Sequence, residues 1–292
     1  MYKHIAVIGL VLAMAAPAAA QGRQGGQGGQ GRQGGQGRQG GQGGQGVVGG
    51  VGTPTNAPQA APAPRNGAGR AVLTAGLSPT EKGLWLPVFG ILDPIAPAAT
   101  VPFQPWAKAV YDDRQKHELE PHTRCKASGV ARQFLTPYGV EFVELPELQR
   151  MFIFDVGGPH TFRTIYMDGR THPADLKPEY YGHSIGWWEG DTLVVDTVGF
   201  NERFWLDRRG LPHTTDLHTI ERFTRINATA IRYEVTVDDP GAYTAKWNAQ
   251  FNLRLERGQE LFEYVCQQAN YAKELMVGDD RGAVGATSAV VP

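Results

Sequence analysis

A carboxylate and an imidazole held together in a partly dry pocket can pass a proton at neutral pH. His183, Asp196, His218 and Glu221 offer those groups close together in the chain and form the candidate catalytic set. His183 and Asp196 flank Glu189-Gly190-Asp191 in "YYGHSIGWWEGDTLVVDTVGFNE", where apolar and polar residues alternate on both sides as in a β-hairpin. A three-residue loop sets Ser184 opposite Asp196. A two-residue loop sets Ser184 opposite Thr197 and Ile185 opposite Asp196, and the sequence leaves both registers open. A serine hydrolase is disfavoured, because no G-x-S-x-G elbow precedes a helix.

The stretch "GFNERFWLDRRGLPHTTDLHTIERF" reads as a polar loop running into a strand, a common place for ligand contacts. Asn201, Trp205 and His213 from the loop, with Trp187 and Arg222 from the flanking strands, are the candidate ligand-binding residues. In the segment from Leu217 to Ile226 ionisable side chains fall on both alternating faces. At least one must therefore point inward and needs a partner. The expectation is that His183, Asp196, His218, Glu221 and Arg222 share a cavity or its mouth, and that His183 or His218 pairs with Glu221. His213 and His218 have no established metal spacing, and H-E-x-x-H, H-x-H and C-x-x-C are missing. No metal ligands are assigned, and no motif names a cofactor.

These residues need a framework. After Tyr138 the hydrophobic period is two, with nine candidate strands: "VEFVEL", "QRMFIFD", "TFRTIYM", "GHSIGWWE", "TLVVDTV", "LHTIERFTRI", "AIRYEVTVDD", "AKWNAQFNLRL" and "ELFEYVC". Short turns and missing helical crossovers point to antiparallel pairing. Closure removes exposed strand edges, so the fold class is mainly β, an antiparallel barrel of about eight to nine strands of the lipocalin or calycin sort; a β-sandwich is the alternative. Residues 77 to 139 are Pro-rich and read as an extended arm over the barrel. One helix is predicted there, from Pro105 to about Lys116.

"MYKHIAVIGLVLAMAAPAAA", residues 1 to 20, has the basic start, short apolar run and small-residue end of a secretory signal. The expected location is periplasmic or secreted. Residues 21 to 76 are Gly-, Gln- and Pro-rich and should form a disordered tether, residues 77 to 276 one β-rich domain, and residues 277 to 292 a flexible tail. Five arginines and no acids lie between residues 21 and 70, whereas residues 71 to 292 carry a net −7. The folded domain is thus not expected to bind nucleic acid, while the basic tail could contact anionic envelope polymers. No stretch is long and apolar enough for a membrane span. In an oxidising compartment Cys125 and Cys266, the only cysteines, are most simply a disulfide, with free buried thiols as the alternative.

The run "GHSIGWWEGDTLVVDTVGFNE", followed in order by "WLDRRGLPH", "LHTIERF", "VTVDDPGAYT" and "EYVC", resembles an uncharacterised family of exported bacterial proteins. The likeness spans roughly residues 83 to 270. It departs from the usual form at Trp187, where many relatives carry Arg or another polar residue, and in the long Gly/Gln tail. It implies an exported single domain and brings no activity with it. Three functional classes stand open: a barrel binding an apolar or aromatic small molecule, a barrel enzyme doing hydratase-, isomerase- or cyclase-type acid–base chemistry, and an envelope structural component.

Overall fold

The computed structural model describes residues 60 to 266 apart from 79, 89, 91, 92, 158 and 160. The signal, most of the tether and the C-terminal tail read from the sequence lie outside the described residues. Nine strands close into a barrel in chain order: β1 (Gly83–Pro87), β2 (Val140–Leu145), β3 (Arg150–Asp155), β4 (Phe162–Tyr166), β5 (His183–Glu189), β6 (Thr192–Val198), β7 (His218–Asn227), β8 (Ala230–Asp238) and β9 (Trp247–Arg257). Helix α1 (Pro105–His117) forms where the sequence places it, with proline in its first turn, where a missing N–H costs nothing.

Two details differ from the sequence expectation. The segment "ELFEYVC" is not a strand; the ninth strand is β1, inside the Pro-rich arm. Its Pro87 is tolerated because it ends the strand: β1 pairs with β9 over five positions but with β2 only at Trp85↔Val140. The barrel is also not wholly antiparallel. The residues between β4 and β5 carry the chain back across the end, so these two strands run parallel and share only two register pairs, Ile165↔Ser184 and Tyr166↔Ile185.

The interior is filled. Phe134, at the C-terminal end of the short helix α2 (Val130–Gln133), meets Tyr233, Phe223 and Phe142 with ring centroids 4.8, 5.5 and 6.4 Å away, and Tyr233 meets Phe251 at 4.7 Å. Trp85, Phe142, Phe223 and Tyr233 are completely or almost completely buried. Inward rings of this size occupy this part of the barrel interior.

The ordered body begins before residue 77. Ala71, Val72, Leu73 and Ala75 are buried. Arg225 donates to the carbonyls of Val72 (2.8 Å), Thr74 and Ala75 (3.1 Å), while Arg70 reaches Glu144 (2.7 Å) and stacks 3.7 Å from the Trp188 ring. Composition alone hides this, because what orders the segment is backbone captured by a buried guanidinium. Cys125 and Cys266 form a disulfide across 141 residues. Among the described residues no helix is long and apolar enough to cross a membrane.

Candidate functional site

The β5–β6 hairpin turns on two residues, Gly190 and Asp191, with Gly190 at φ +60° as a primed turn needs. Arg65 (2.8 Å) and the Ala71 amide (3.1 Å) anchor the Asp191 carboxylate. The resulting register is Ser184↔Thr197 and Ile185↔Asp196, and β7 continues it with Asp196↔Ile220 and Thr197↔Thr219. Because strand side chains alternate, one continuous ladder sends Ser184, Thr197, Thr219 and Glu221 inward and His183, Asp196, His218 and Arg222 outward.

Inside, the Glu221 carboxylate pairs with Arg163 of β4, not with a histidine. Arg163 Nη1 donates to Oε1 at 3.1 Å, and Nη2 binds Oε2 in a close contact. The same guanidinium donates to Ser184 Oγ (2.9 Å) and Thr197 Oγ1 (2.7 Å), and Tyr233 O–H donates to Glu221 Oε1 (2.9 Å). Arg163 and Glu221 are 1% and 0% exposed, respectively. Every charge has several partners, which is how a buried ion pair offsets its desolvation. The expectation that Glu221 faces the cavity with His183 and His218 is corrected by a one-residue alternation.

Outside, His183, Asp196 and His218 come together, with His172 completing the group. Asp196 Oδ1 accepts from His218 Nε2 (2.7 Å) and His172 Nε2 (3.3 Å), and the Nδ1 atoms of His172 and His183 lie 2.8 Å apart. A carboxylate only accepts, so His172 carries its proton on Nε2 and, when neutral, accepts at Nδ1. His183 then donates from Nδ1, and its Nε2 is left with a free lone pair and no hydrogen bond among the described residues. The His183 ring stacks on Tyr166 (centroids 5.1 Å, 21° between planes), which Arg170 covers from 3.9 Å. Burial, then His172 and Arg170, hold His183 below the usual imidazole range, favouring the neutral base.

His183 also lines a cleft of about 350 Å³ where β4 and β5 part beyond their two paired positions. Phe162, Tyr166 and Tyr181 supply aromatic wall, Lys177 and Glu179 polar edge, and Arg163 with Ser184 line it from the barrel side. Gly182 admits the chain into β5 at φ +60°; a Cβ there would stand 2.5 Å from the Val198 carbonyl oxygen.

The remaining candidates lie elsewhere. Arg222 bonds Glu189 (2.6 Å), which also accepts from the Trp187 indole (3.0 Å), at the solvent-exposed hairpin end. Asn201 bonds the backbone of Arg203 and Glu179. Trp205 is buried with the Arg114 guanidinium 4.9 Å from its ring. His213 is buried between the carbonyls of Phe204 (3.0 Å) and Thr214 (3.1 Å), and burial lowers it to about 4. The loop from Asn201 is thus largely interior: Phe204, Leu206 and Leu211 are core residues, so it offers packing where ligand contacts were expected. Among the described residues no group of three or more His, Cys, Asp or Glu side chains could hold a metal ion.

The sequence reading missed His172, Tyr166, Tyr181 and Arg163. Arg163 had a signal, since it shares alternation parity with Ile165 in "TFRTIYM" and must therefore point inward. His172 had none, because it stands in the irregular connection between β4 and β5. Compared with protein-family models, curated proteins and solved structures, the chain matches none of them.

Proposed function

We propose that this is an exported barrel protein that binds a small aromatic or apolar molecule in the cleft at the β4–β5 seam. The observation that carries the reading is the cleft itself: Phe162, Tyr166 and Tyr181 surround it, and Phe162 is 56% exposed on its strand. Exposed aromatic rings beside a concave site suit a flat apolar partner. In this reading the ligand sits on the outer face of the barrel, beside the inward aromatic cluster around Phe134 and Tyr233. Export is supported by the N-terminal sequence pattern and by the Cys125–Cys266 bridge, which an oxidising compartment maintains.

Calorimetric titration of the full chain with phenol tests this reading. Saturable binding that weakens at least tenfold in Phe162→Ala or Tyr166→Ala is expected. No saturable binding, or equal binding by both variants, would overturn it.

A second reading, acid–base chemistry on the bound molecule, is favoured by the free Nε2 of His183 at the end of the Asp196–His172 relay. Its test is deuterium exchange at the α-carbon of acetophenone, followed by NMR. His183→Gln should slow exchange by about a hundredfold, the range for losing a general base; an unchanged rate assigns the histidines to ligand binding alone.

A further inference from the structure

The barrel has a second weak join. β1 and β2 pair only at Trp85↔Val140, whereas β2 pairs with β3 at all six of its positions. From Glu141 to Leu145, therefore, β2 has a strand on one side only, and among the described residues no turn or loop offers it a backbone hydrogen bond on the other. A cleft of about 1090 Å³ opens at this join. Gly83 of β1 borders it on one side, and on the other it touches Phe142 and Glu144 as well as Glu141 and Val143 of β2. Phe142 is 1% exposed and points inward with Val140, so Glu141 and Val143 point outward. A cleft that touches both faces of one strand runs along that strand's edge. Every second residue there directs its N–H and C=O into the cleft, the arrangement that templates another strand.

The carboxylates around the cleft differ in how far they are satisfied. Glu144 is paired with Arg70 at 2.7 Å, and Glu260 with Lys82 in a close contact. Glu81 accepts from the amides of Leu77 (2.9 Å) and Ser78 (3.0 Å), and the more distant Arg257 and Arg225 also favour its charge. Glu141 stands apart. It has neither an ion pair nor a side-chain hydrogen bond among the described residues, and the charge that acts on it, Glu260, has the same sign. On the same outward face Val143 lies beside Phe152 of β3, so an unpaired carboxylate and an apolar spot alternate along the open edge.

We propose that the β2 edge takes up an extended peptide segment of another protein, running antiparallel to β2, with a Lys or Arg opposite Glu141 and, two residues earlier, an apolar side chain opposite Val143. The repeating donors and acceptors of the edge match a main chain and supply affinity, while alternate side chains supply specificity. Antiparallel pairing is the more stable of the two directions. Across it, opposite charges on one face attract and like charges repel, so the free Glu141 selects a basic residue. The position between the two outward contacts turns toward Phe142 and suits a small side chain. This cleft shares no residue with the one at the β4–β5 seam, so the proposal is independent of the phenol-binding reading.

The test titrates the full chain with acetyl-Thr-Val-Ala-Lys-Thr-amide by calorimetry and follows amide hydrogen exchange. Saturable binding that slows exchange within residues 141 to 145 is expected. The same peptide with Glu in place of Lys should bind the parent at least tenfold more weakly, and Glu141→Lys should reverse that preference. Methylating the backbone nitrogens of the peptide should abolish binding to either protein. If Glu141→Lys fails to fold, Glu141→Gln decides, since it should erase the preference without reversing it. The proposal is overturned by no saturable binding, by equal binding of the Lys and Glu peptides to the parent, or by binding that leaves exchange in residues 141 to 145 unchanged. It is also overturned if every amide there already exchanges slowly in the free protein, because the edge is then covered by another segment of the chain or by a second copy.

Discussion

The two sides of the sheet formed by β5, β6 and β7 solve opposite problems with neighbouring residues. Ser184, Thr197 and Glu221 face inward and, with Arg163 and Tyr233, form a network in which each charged group has several partners. His183, Asp196 and His218 are outward, often one position away, and with His172 form a network that ends on a nitrogen without a hydrogen bond among the described residues. The inner group is buried and its charges are paired, although Thr219 Oγ1 on the same face has no hydrogen-bond partner among the described residues; Asp196 and His218 keep 23% and 37% of their side-chain surface. Saturation is what a fold needs from buried charge, whereas available capacity is what chemistry needs. Identical backbone geometry delivers both, and only the parity of the position decides which a residue serves.

The sharpest way to break this comparison is to remove one inner partner. Glu221→Ala leaves the Arg163 guanidinium buried without its counter-charge and should cost about 3–5 kcal/mol in urea unfolding. The paired change Arg163→Met with Glu221→Leu should recover much of that loss, because no charge is then stranded. If the single variant loses less than about 1 kcal/mol, the inner network is not the structural one.

Asp196→Ala probes the outer network in the same strand. It removes a half-exposed acceptor, so stability should change by less than about 2 kcal/mol. Without the carboxylate His172 is no longer held with its proton on Nε2, and His183 loses its fixed tautomer. Exchange of acetophenone should slow by about ten- to a hundredfold, while phenol affinity stays within about twofold. Outright unfolding would move Asp196 into the structural class.

Much of this contrast was legible in the sequence, and the omissions have physical causes. The strands β2 to β9 follow directly from their period, as does the need for a partner inside the β7 segment. The hairpin register was open, since a two- and a three-residue loop both satisfy the alternation; Arg65 and Ala71 holding Asp191 belong to a distant segment that composition marked as tether. The same blindness removed β1: a short "GLWLP" among prolines becomes a strand only because β9 is there to pair with it. His172 reaches the site through the parallel crossover, a tertiary event without local pattern. Conversely, His213 looked like a ligand residue because an imidazole buried between two carbonyls has the same sequence as an exposed one.

A pH profile sharpens the comparison further. His183 titrates below the ordinary imidazole value, so its folded form resists protonation relative to the unfolded chain. For a base that must be neutral, activity is full above about pH 6.5 and declines only as pH falls through the lowered value, approaching tenfold per unit beneath it. For stability the sign is the same: the unfolded chain takes up its proton first, so the His183 contribution weakens as pH drops below about 6.5. An exchange rate already halved at pH 7 would exclude neutral His183 as the base.

The smallest effect is expected at the third outward-facing position, and it separates orientation from function. Arg222 lies on the same face of β7 as His218, but four residues of strand place it roughly 13 Å along the sheet. There it meets Glu189, which also accepts from the Trp187 indole, all three well exposed at the hairpin end. Water competes with every one of these contacts, and an exposed pair of this kind contributes little. Arg222→Ala and Trp187→Ala should therefore leave the unfolding midpoint, the phenol affinity and the acetophenone exchange rate unchanged within error. A clear loss of binding in either variant would show that the ligand extends along the outer face to the turn, enlarging the site from the seam cleft to the whole outward surface of β5–β7.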